Sequence, residues 1–168
     1  MIEETYPMMI GQEEVATERL LHRQVDSGPC MDRLDSVRFI VIHCSATRPG
    51  TDYTVERLLR DHTARGFRTI GYHFYIRSNG DVTQHRRLFE VGAHARPYNR
   101  CSIGICYEGG LDNAGQPADT RTPRQRQALR ELVARLRRLF PQARVVGHRD
   151  LPGTTPKDCP CFDVASLL

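Results

Sequence analysis

Two short, almost wholly apolar runs constrain the fold of this chain more than any other feature. They are residues 37–43 (VRFIVIH) and residues 102–107 (SIGICY), in which apolar and β-branched side chains predominate. Runs of this length and composition are typical of strands buried within a sheet. Between them, residues 72–77 and 82–85 flank an Asn79-Gly80 pair, which predicts a hairpin of two further strands.

Two helices with clear start signals separate the predicted strands. Thr54 is placed to cap the first, whose apolar residues follow at helical spacing. Thr122 is placed to cap the second, with Pro123 at its first position and Gln125 able to return the capping-box hydrogen bond. Seven arginines occupy or flank this second helix and are expected to cover most of its outer side: Arg121, Arg124, Arg126, Arg130, Arg135, Arg137 and Arg138. Residues 144–147 predict a last short strand. Strands alternating with helices predict a single α/β domain with a mixed central β-sheet flanked by helices.

The first 36 residues differ from the rest of the chain. They are acid-rich near the start and contain Gly28-Pro29 and one short amphipathic stretch. We therefore expect a lead segment over residues 1–36 that is partly disordered or loosely helical, followed by the domain over residues 37–168. Met31 would also serve as a start, so the sequence leaves open whether translation begins at Met1 or at Met31.

Composition excludes several protein classes. A hydrophobic content of 39% excludes a fully disordered chain, and the apolar run at 39–42 is far shorter than the ~20 residues of a membrane helix. The acidic start does not resemble a secretory signal peptide. Six cysteines in 168 residues are too few for a disulfide scaffold, so reduced thiols or metal ligands are expected. The net charge of +4 suits anionic partners such as cell-wall polymer or nucleic acid.

Three residues form a candidate metal site. His43 ends the first predicted strand, His148 follows the last, and a proline-rich loop leads from His148 to Cys159. If the two strands are neighbours in the sheet, both histidines emerge at one edge and the loop can return the cysteine to them. Two imidazoles and one thiolate leave a fourth tetrahedral position open, which is the pattern of catalytic zinc sites. From spacing alone, two satisfied polar histidines remain an alternative, and so does a redox pair of Cys159 with Cys161.

A series of six motifs strengthens the metal interpretation, because they occur in one order along residues 37–164. They are VIHCSAT (41–47), GYHF (71–74), GAHA (92–95), Asn99 with SIG (102–104), GHRD (147–150) and KDCP (157–160). This series resembles the type 2 N-acetylmuramoyl-L-alanine amidases, above all their phage-lysozyme-like members. Peptidoglycan recognition proteins share the fold of that family.

The resemblance implies a role for six residues. It implies that His43, His148 and Cys159 bind one zinc ion per chain, and that Tyr72 and Lys157 assist catalysis. It further implies that His94 lines the substrate groove. Non-catalytic recognition proteins typically lack the metal cysteine, so Cys159 favours an active enzyme. We also expect that Asp163, four residues beyond Cys159, could hydrogen-bond a ligand imidazole.

The function that the resemblance implies is zinc-dependent hydrolysis of the amide bond between N-acetylmuramic acid and L-alanine in peptidoglycan. Two alternatives stay open: a non-catalytic peptidoglycan-binding module, and a regulator that binds nucleic acid or a polymerase through the arginine-rich second helix. We expect peptidoglycan as the partner, no membrane span, no nucleic acid and a monomer. We also expect cytoplasmic synthesis, with action on the cell wall after release or non-classical export.

Overall fold

A computed structural model describes residues 4–5, 31, 36–154 and 158–167 of the chain. Within them, six strands form one mixed sheet in the order β1-β4-β3-β5-β2-β6. β3, β5, β2 and β6 run parallel, whereas β4 is antiparallel to both β3 and β1. The strands are β1 (Glu4–Thr5), β2 (Phe39–Cys44), β3 (Phe74–Ile76), β4 (Val82–Gln84), β5 (Ser102–Tyr107) and β6 (Arg144–Gly147). The predicted single domain with a mixed sheet is confirmed.

Two α-helices flank the sheet, and both begin at the predicted caps. In α1 (Val55–Ala64) the Thr54 side chain accepts a hydrogen bond from the Arg57 N–H. In α2 (Pro123–Leu139) Thr122 and Gln125 form the complete capping box, with Pro123 in the first turn. These caps satisfy N–H groups that a helix start otherwise leaves unpaired. Short 3-10 helices lie at Asn99–Cys101, His148–Asp150 and Val164–Leu167.

The two faces of the sheet have different contents because side chains alternate along a strand. On one face, Ile40 and Ile42 of β2 join the main apolar cluster, to which α2 contributes Leu132 and other leucines. Cys44 belongs to the same cluster and is buried. On the other face, Val41 packs in a smaller cluster with loop residues, and His43 follows it. One strand therefore supplies both core side chains and a candidate metal ligand.

The second predicted strand is shorter than expected. The pattern over 72–77 predicted six strand residues, but β3 covers only Phe74–Ile76. Gly71, just before this run, bonds outside the sheet: its N–H donates to His62 Nδ1 and its carbonyl accepts from the Ala93 N–H, while a Cβ at Gly71 would lie 2.2 Å from the Ala93 oxygen. This contact positions the loop that carries His94 beside the sheet.

One arginine near α2 lies elsewhere than predicted. The sequence placed Arg121 with the arginines that cover the outer side of the helix, but its side chain is buried. The guanidinium pairs with Asp119 at 2.8 Å and lies 3.3 Å from the centre of the Phe162 ring. Arg121 precedes the helix cap, where the chain still turns toward the core, so it does not share the solvent-facing position of Arg130.

The prediction for residues 1–36 falls mostly outside the described residues. Glu4–Thr5 pair with β4 at the sheet edge. Met31 is buried in the main cluster, and its N–H donates to the Phe89 carbonyl. Within the part of the chain that the structure describes, no helix combines the length and apolar character needed to cross a membrane.

Candidate metal centre

His43 and His148 reach the same edge of the sheet, as predicted, because β2 and β6 are parallel neighbours. In the register between these strands Ile42 pairs with Gly147, so the two histidines are the next residues along each strand. The Gly147 N–H donates to the Asp150 carboxylate at 2.8 Å, which holds the 3-10 turn that begins at His148. The rings of His43 and His148 lie with centroids 4.5 Å apart.

The chain returns Cys159 to this edge through backbone contacts. The Cys44 N–H donates to Cys159 Sγ at 3.3 Å, and the Arg149 N–H donates to the Cys159 carbonyl at 2.8 Å. One residue further, the Tyr107 hydroxyl donates to the Pro160 carbonyl at 2.6 Å. These bonds tie the cysteine to β2, to the turn after β6 and to β5.

The three side chains fit a tetrahedral metal site. One ligand atom from each of His43, His148 and Cys159 lies within 4.8 Å of the others, and Cys159 Sγ is 3.9 Å from His43 Nδ1. The ligand atoms of a tetrahedral zinc with the usual bond lengths lie about 3.3–3.6 Å apart. A movement of about 1 Å would bring the three ligand atoms to these distances. Soft sulfur with two imidazole nitrogens favours zinc over magnesium or calcium.

Burial keeps the two histidines in the form that binds metals. Burial and then the neighbouring His94 and His148 hold the pKa of His43 well below its usual value. Burial lowers the pKa of His148 to about 4. Both imidazoles are therefore neutral at neutral pH, and neutral imidazole is the form that offers a lone pair to a metal.

The remaining predicted site residues lie in three different situations. The Tyr72 ring packs beside His43 with centroids 5.1 Å apart, and burial, followed by Cys106, raises the pKa of its hydroxyl. His94 lies on another side of His43, with ring centroids 5.0 Å apart. Lys157 lies outside the described residues. Asp163 is exposed, and its carboxylate accepts from the Ala165 N–H.

Sequence reasoning gave no role to several groups that hold the site together. Among them are the Cys44 N–H at the sulfur and Ser102, whose hydroxyl lies 3.2 Å from His94 Nε2. Asn99 also contributes, since its side-chain oxygen accepts from the N–H groups of His94 and Ala95. Asn99 and Ser102 do fall within one of the six motifs, so a signal existed, although the motif alone did not say what they contact.

Comparisons with known proteins agree with this geometry. The family model described as N-acetylmuramoyl-L-alanine amidase (Amidase_2) matches residues 33–162. The endolysin of Enterobacteria phage K11 is 39% identical over 132 residues, which cover 79% of this chain and 85% of that protein.

Two solved structures share the fold. The N-acetylmuramoyl-L-alanine amidase LysC of Clostridium intestinale superimposes with a TM-score of 0.66 at 26% identity, covering 86% of this chain and 91% of that one. Bumblebee PGRP-SA superimposes with a TM-score of 0.65 at 22% identity, over 86% and 87% of the two chains. The predicted resemblance to the amidases and to the fold of the recognition proteins is confirmed.

Proposed function

Because the chain belongs to the N-acetylmuramoyl-L-alanine amidase (Amidase_2) family, we propose that it hydrolyses the amide bond between N-acetylmuramic acid and L-alanine in bacterial peptidoglycan, with one zinc ion per chain. The observation that carries this proposal is the convergence of His43, His148 and Cys159 within 4.8 Å. A binding module needs no such cluster.

His43, His148 and Cys159 would hold the zinc. When bound, zinc supplies a Lewis acid that polarises a carbonyl and makes water nucleophilic near neutral pH. The protein supplies two neutral imidazoles and one thiolate, so one negative charge from the chain faces the dication. His43 is 2% exposed, whereas His148 and Cys159 are partly exposed, and substrate would therefore approach from their side.

Tyr72 and Lys157 would assist at the reacting carbonyl. Since the pKa of Tyr72 is raised, its hydroxyl stays protonated and acts as a hydrogen-bond partner that orients water rather than as a base. Lys157 lies two residues before Cys159 in the sequence. A cation in that place would stabilise the negative charge that develops on the carbonyl oxygen. The role of Lys157 rests on the sequence and the family resemblance.

Hydrolysis of this bond leaves a distinctive pair of products. Water contributes its OH to the lactyl carbonyl carbon and a proton to the departing nitrogen, which leaves a carboxyl group on the glycan and a free amino terminus on L-alanine. The expected place of action is the bacterial cell wall, after release or non-classical export.

Product analysis tests the proposal directly. The full chain, with its zinc content measured, is incubated with purified peptidoglycan, and the digest is analysed by mass spectrometry. We expect about one zinc per chain and new L-alanine amino termini, lost after treatment with a chelator and restored by zinc. New reducing sugar ends would instead identify a glycosidase. Persistent wall binding without any product at full zinc occupancy would identify a binding module.

A further inference from the structure

His94 contacts the protein through both of its ring nitrogens. Nδ1 lies 2.8 Å from His43 Nε2, and Nε2 lies 3.2 Å from the Ser102 hydroxyl. Ser102 is fully buried, and its hydroxyl donates to the Tyr98 carbonyl at 2.7 Å. The four groups form one chain of hydrogen bonds that ends at a proposed metal ligand.

The directions of these hydrogen bonds follow from the Tyr98 carbonyl, at which the series of hydrogen bonds ends. A carbonyl can only accept, so the single hydroxyl hydrogen of Ser102 is used on Tyr98. The Ser102 oxygen must then accept from an N–H at His94 Nε2. A neutral imidazole carries one N–H, so His94 Nδ1 is an acceptor and takes the N–H of His43 Nε2.

The consequence appears at the other nitrogen of His43. With its hydrogen on Nε2, neutral His43 has its lone pair on Nδ1, and Nδ1 is the atom that lies 3.9 Å from Cys159 Sγ. The opposite tautomer would direct an N–H at the metal position and could not ligate. The hydrogen-bond chain thus selects the form of His43 that can bind a metal.

The surroundings of His94 hold its ring in this place. A Cβ at Gly104 on β5 would lie 2.6 Å from His94 Cγ, and a Cβ at Gly92 would lie 2.6 Å from His94 Cδ2. Two glycines therefore provide the space that the ring fills. Asn99 accepts from the His94 N–H at 2.9 Å, which fixes the backbone as well.

We propose that His94 is a positioning residue that holds His43 in its metal-binding tautomer, with Ser102 as the anchor of the hydrogen-bond chain. The inference rests on the proposed metal site and is independent of which bond the enzyme cleaves. It also differs from the expectation that His94 contacts substrate, because a ring with both nitrogens engaged offers no free polar atom to a ligand.

Two substitutions separate the role of the acceptor from the role of the ring. H94F keeps a ring of similar size but removes both nitrogens, whereas H94N places an amide oxygen at the same number of bonds from Cα as Nδ1. We expect H94F to weaken zinc binding by about 10–100-fold, the usual effect of removing a partner of a ligating histidine. H94N should remain within about 5-fold of the parent.

The measurement is the zinc dissociation constant of the full chain, obtained by competition with a chromophoric chelator. His85 provides the control, because it is also a partly buried histidine but bonds to Thr83 and is outside the cluster. H85Q should bind zinc like the parent. Unchanged zinc affinity in H94F with an increase in KM would overturn the proposal and assign His94 to substrate binding.

A second readout needs neither metal nor activity. Long-range ¹H–¹⁵N correlation spectra of the metal-free chain report which nitrogen of each histidine carries the hydrogen. We expect the Nε2–H tautomer at His43 in the parent and in H94N, and a mixture in S102A, which keeps the His94 ring. A parent chain with its hydrogen on Nδ1 of His43 would refute the inference, even if H94F fails to fold. Absence of zinc binding by the parent would refute the proposed function instead.

Discussion

The two faces of the sheet are built from the same strands but differ in chemistry. The face toward α2 is apolar along β2, β3 and β5, with Ile42, Phe74 and Ile105 all fully buried. The opposite face carries His43, His73 and Cys106 at the positions that alternate with them. Moving one residue along a strand thus passes from a packed core to a candidate metal site.

This difference separates stability from function. Each apolar side chain that is buried on the first face adds to the free energy of unfolding. The other face includes buried polar rings that need partners, and each unpaired one would cost free energy. The hydrogen bonds around His43, His73 and His94 satisfy that requirement and fix the directions of the rings. We therefore expect substitutions on the two faces to act on different measured quantities.

The largest effect should follow Cys159→Ser on the functional face. Loss of the sulfur removes one of the three proposed ligands, so zinc binding and amide hydrolysis should fall by about 1,000-fold or more. The metal-free chain should keep its stability within about 1 kcal/mol, because Cys159 is partly exposed. Zinc content, product release and urea unfolding of the metal-free protein measure the three quantities.

Cys161→Ser is the matched control for Cys159→Ser. It makes the same chemical change two residues away, at a thiol that lies 3.8 Å from Cys44 Sγ and outside the ligand cluster. Turnover should stay within about 3-fold of the parent. Equal losses in both variants would show that the C-terminal segment matters as a whole and would remove Cys159 from the ligand set.

The opposite result is expected for Leu132→Ala on the apolar face. Leu132 is fully buried in the cluster between α2 and the sheet, and truncation of such a side chain costs about 2–5 kcal/mol of unfolding free energy. Zinc affinity and turnover per folded molecule should not change. Urea unfolding measures the first quantity, with the exposed neighbour Glu131→Ala as the control. A parallel loss of zinc affinity would show that the two faces are coupled.

Tyr72→Phe should lower turnover without changing zinc binding. Removal of the hydroxyl should lower kcat by about 10–100-fold while zinc affinity stays unchanged, because in the proposed mechanism the hydroxyl orients water and is not a ligand. Steady-state kinetics on a soluble muropeptide measures the change. Tyr53→Phe, in the same apolar cluster as Tyr72, serves as the control and should keep the parent kcat.

The apolar face was the more predictable of the two from sequence. Local signals were sufficient for the caps at Thr54 and Thr122, and periodicity was sufficient for the buried strands, since both depend on neighbouring residues only. The sequence predicted that His43 lies beside His148 only on the assumption that their two strands are neighbours in the sheet. That pairing depends on sheet order, which no local pattern determines.

The contacts around the site could not be predicted in the same way. The bond from the Cys44 N–H to Cys159 joins residues 115 positions apart, and His43 meets His94 across 51 positions. Nor did spacing show that Gly92 and Gly104 leave room for the His94 ring, because this depends on how a loop lies over β5. Arg121 was misplaced for a related reason: helix periodicity does not extend to the residue before the cap.

Acid should lower the unfolding free energy of the metal-free protein, because several of its histidines are buried in the neutral form. Burial lowers the pKa of His73, and likewise that of His85, to about 4, whereas an unfolded histidine titrates near 6.5. Below about pH 6.5 the unfolded chain binds more protons than the folded chain, so stability falls as the pH falls. Each such histidine should cost about 2 kcal/mol between pH 7 and pH 5.

Urea unfolding of the chelator-treated protein at pH 7, 6 and 5 measures this dependence. This window lies above the pKa of ordinary carboxyl groups, so histidines dominate the change. His85→Gln removes one titrating group and should reduce the pH dependence by about 2 kcal/mol, while Leu132→Ala should lower stability equally at all three values. A stability that does not change with pH in the parent would contradict the expected neutral histidines.

The smallest effect is expected on the outer side of α2, beyond both faces of the sheet. Arg130 and Arg137 are exposed, and exchange of both for Gln should change unfolding free energy by less than about 0.5 kcal/mol. Peptidoglycan turnover should stay within about 2-fold of the parent, because the helix lies across the sheet from the candidate metal centre.

Retention of the parent on DNA should be weak and equal in the double variant. Retention that weakens steeply with salt in the parent and less steeply in the double variant would instead give this helix a nucleic-acid partner, since each lost phosphate contact lowers the salt slope by about one. The arginines would then form a third functional region, separate from both the core and the metal centre.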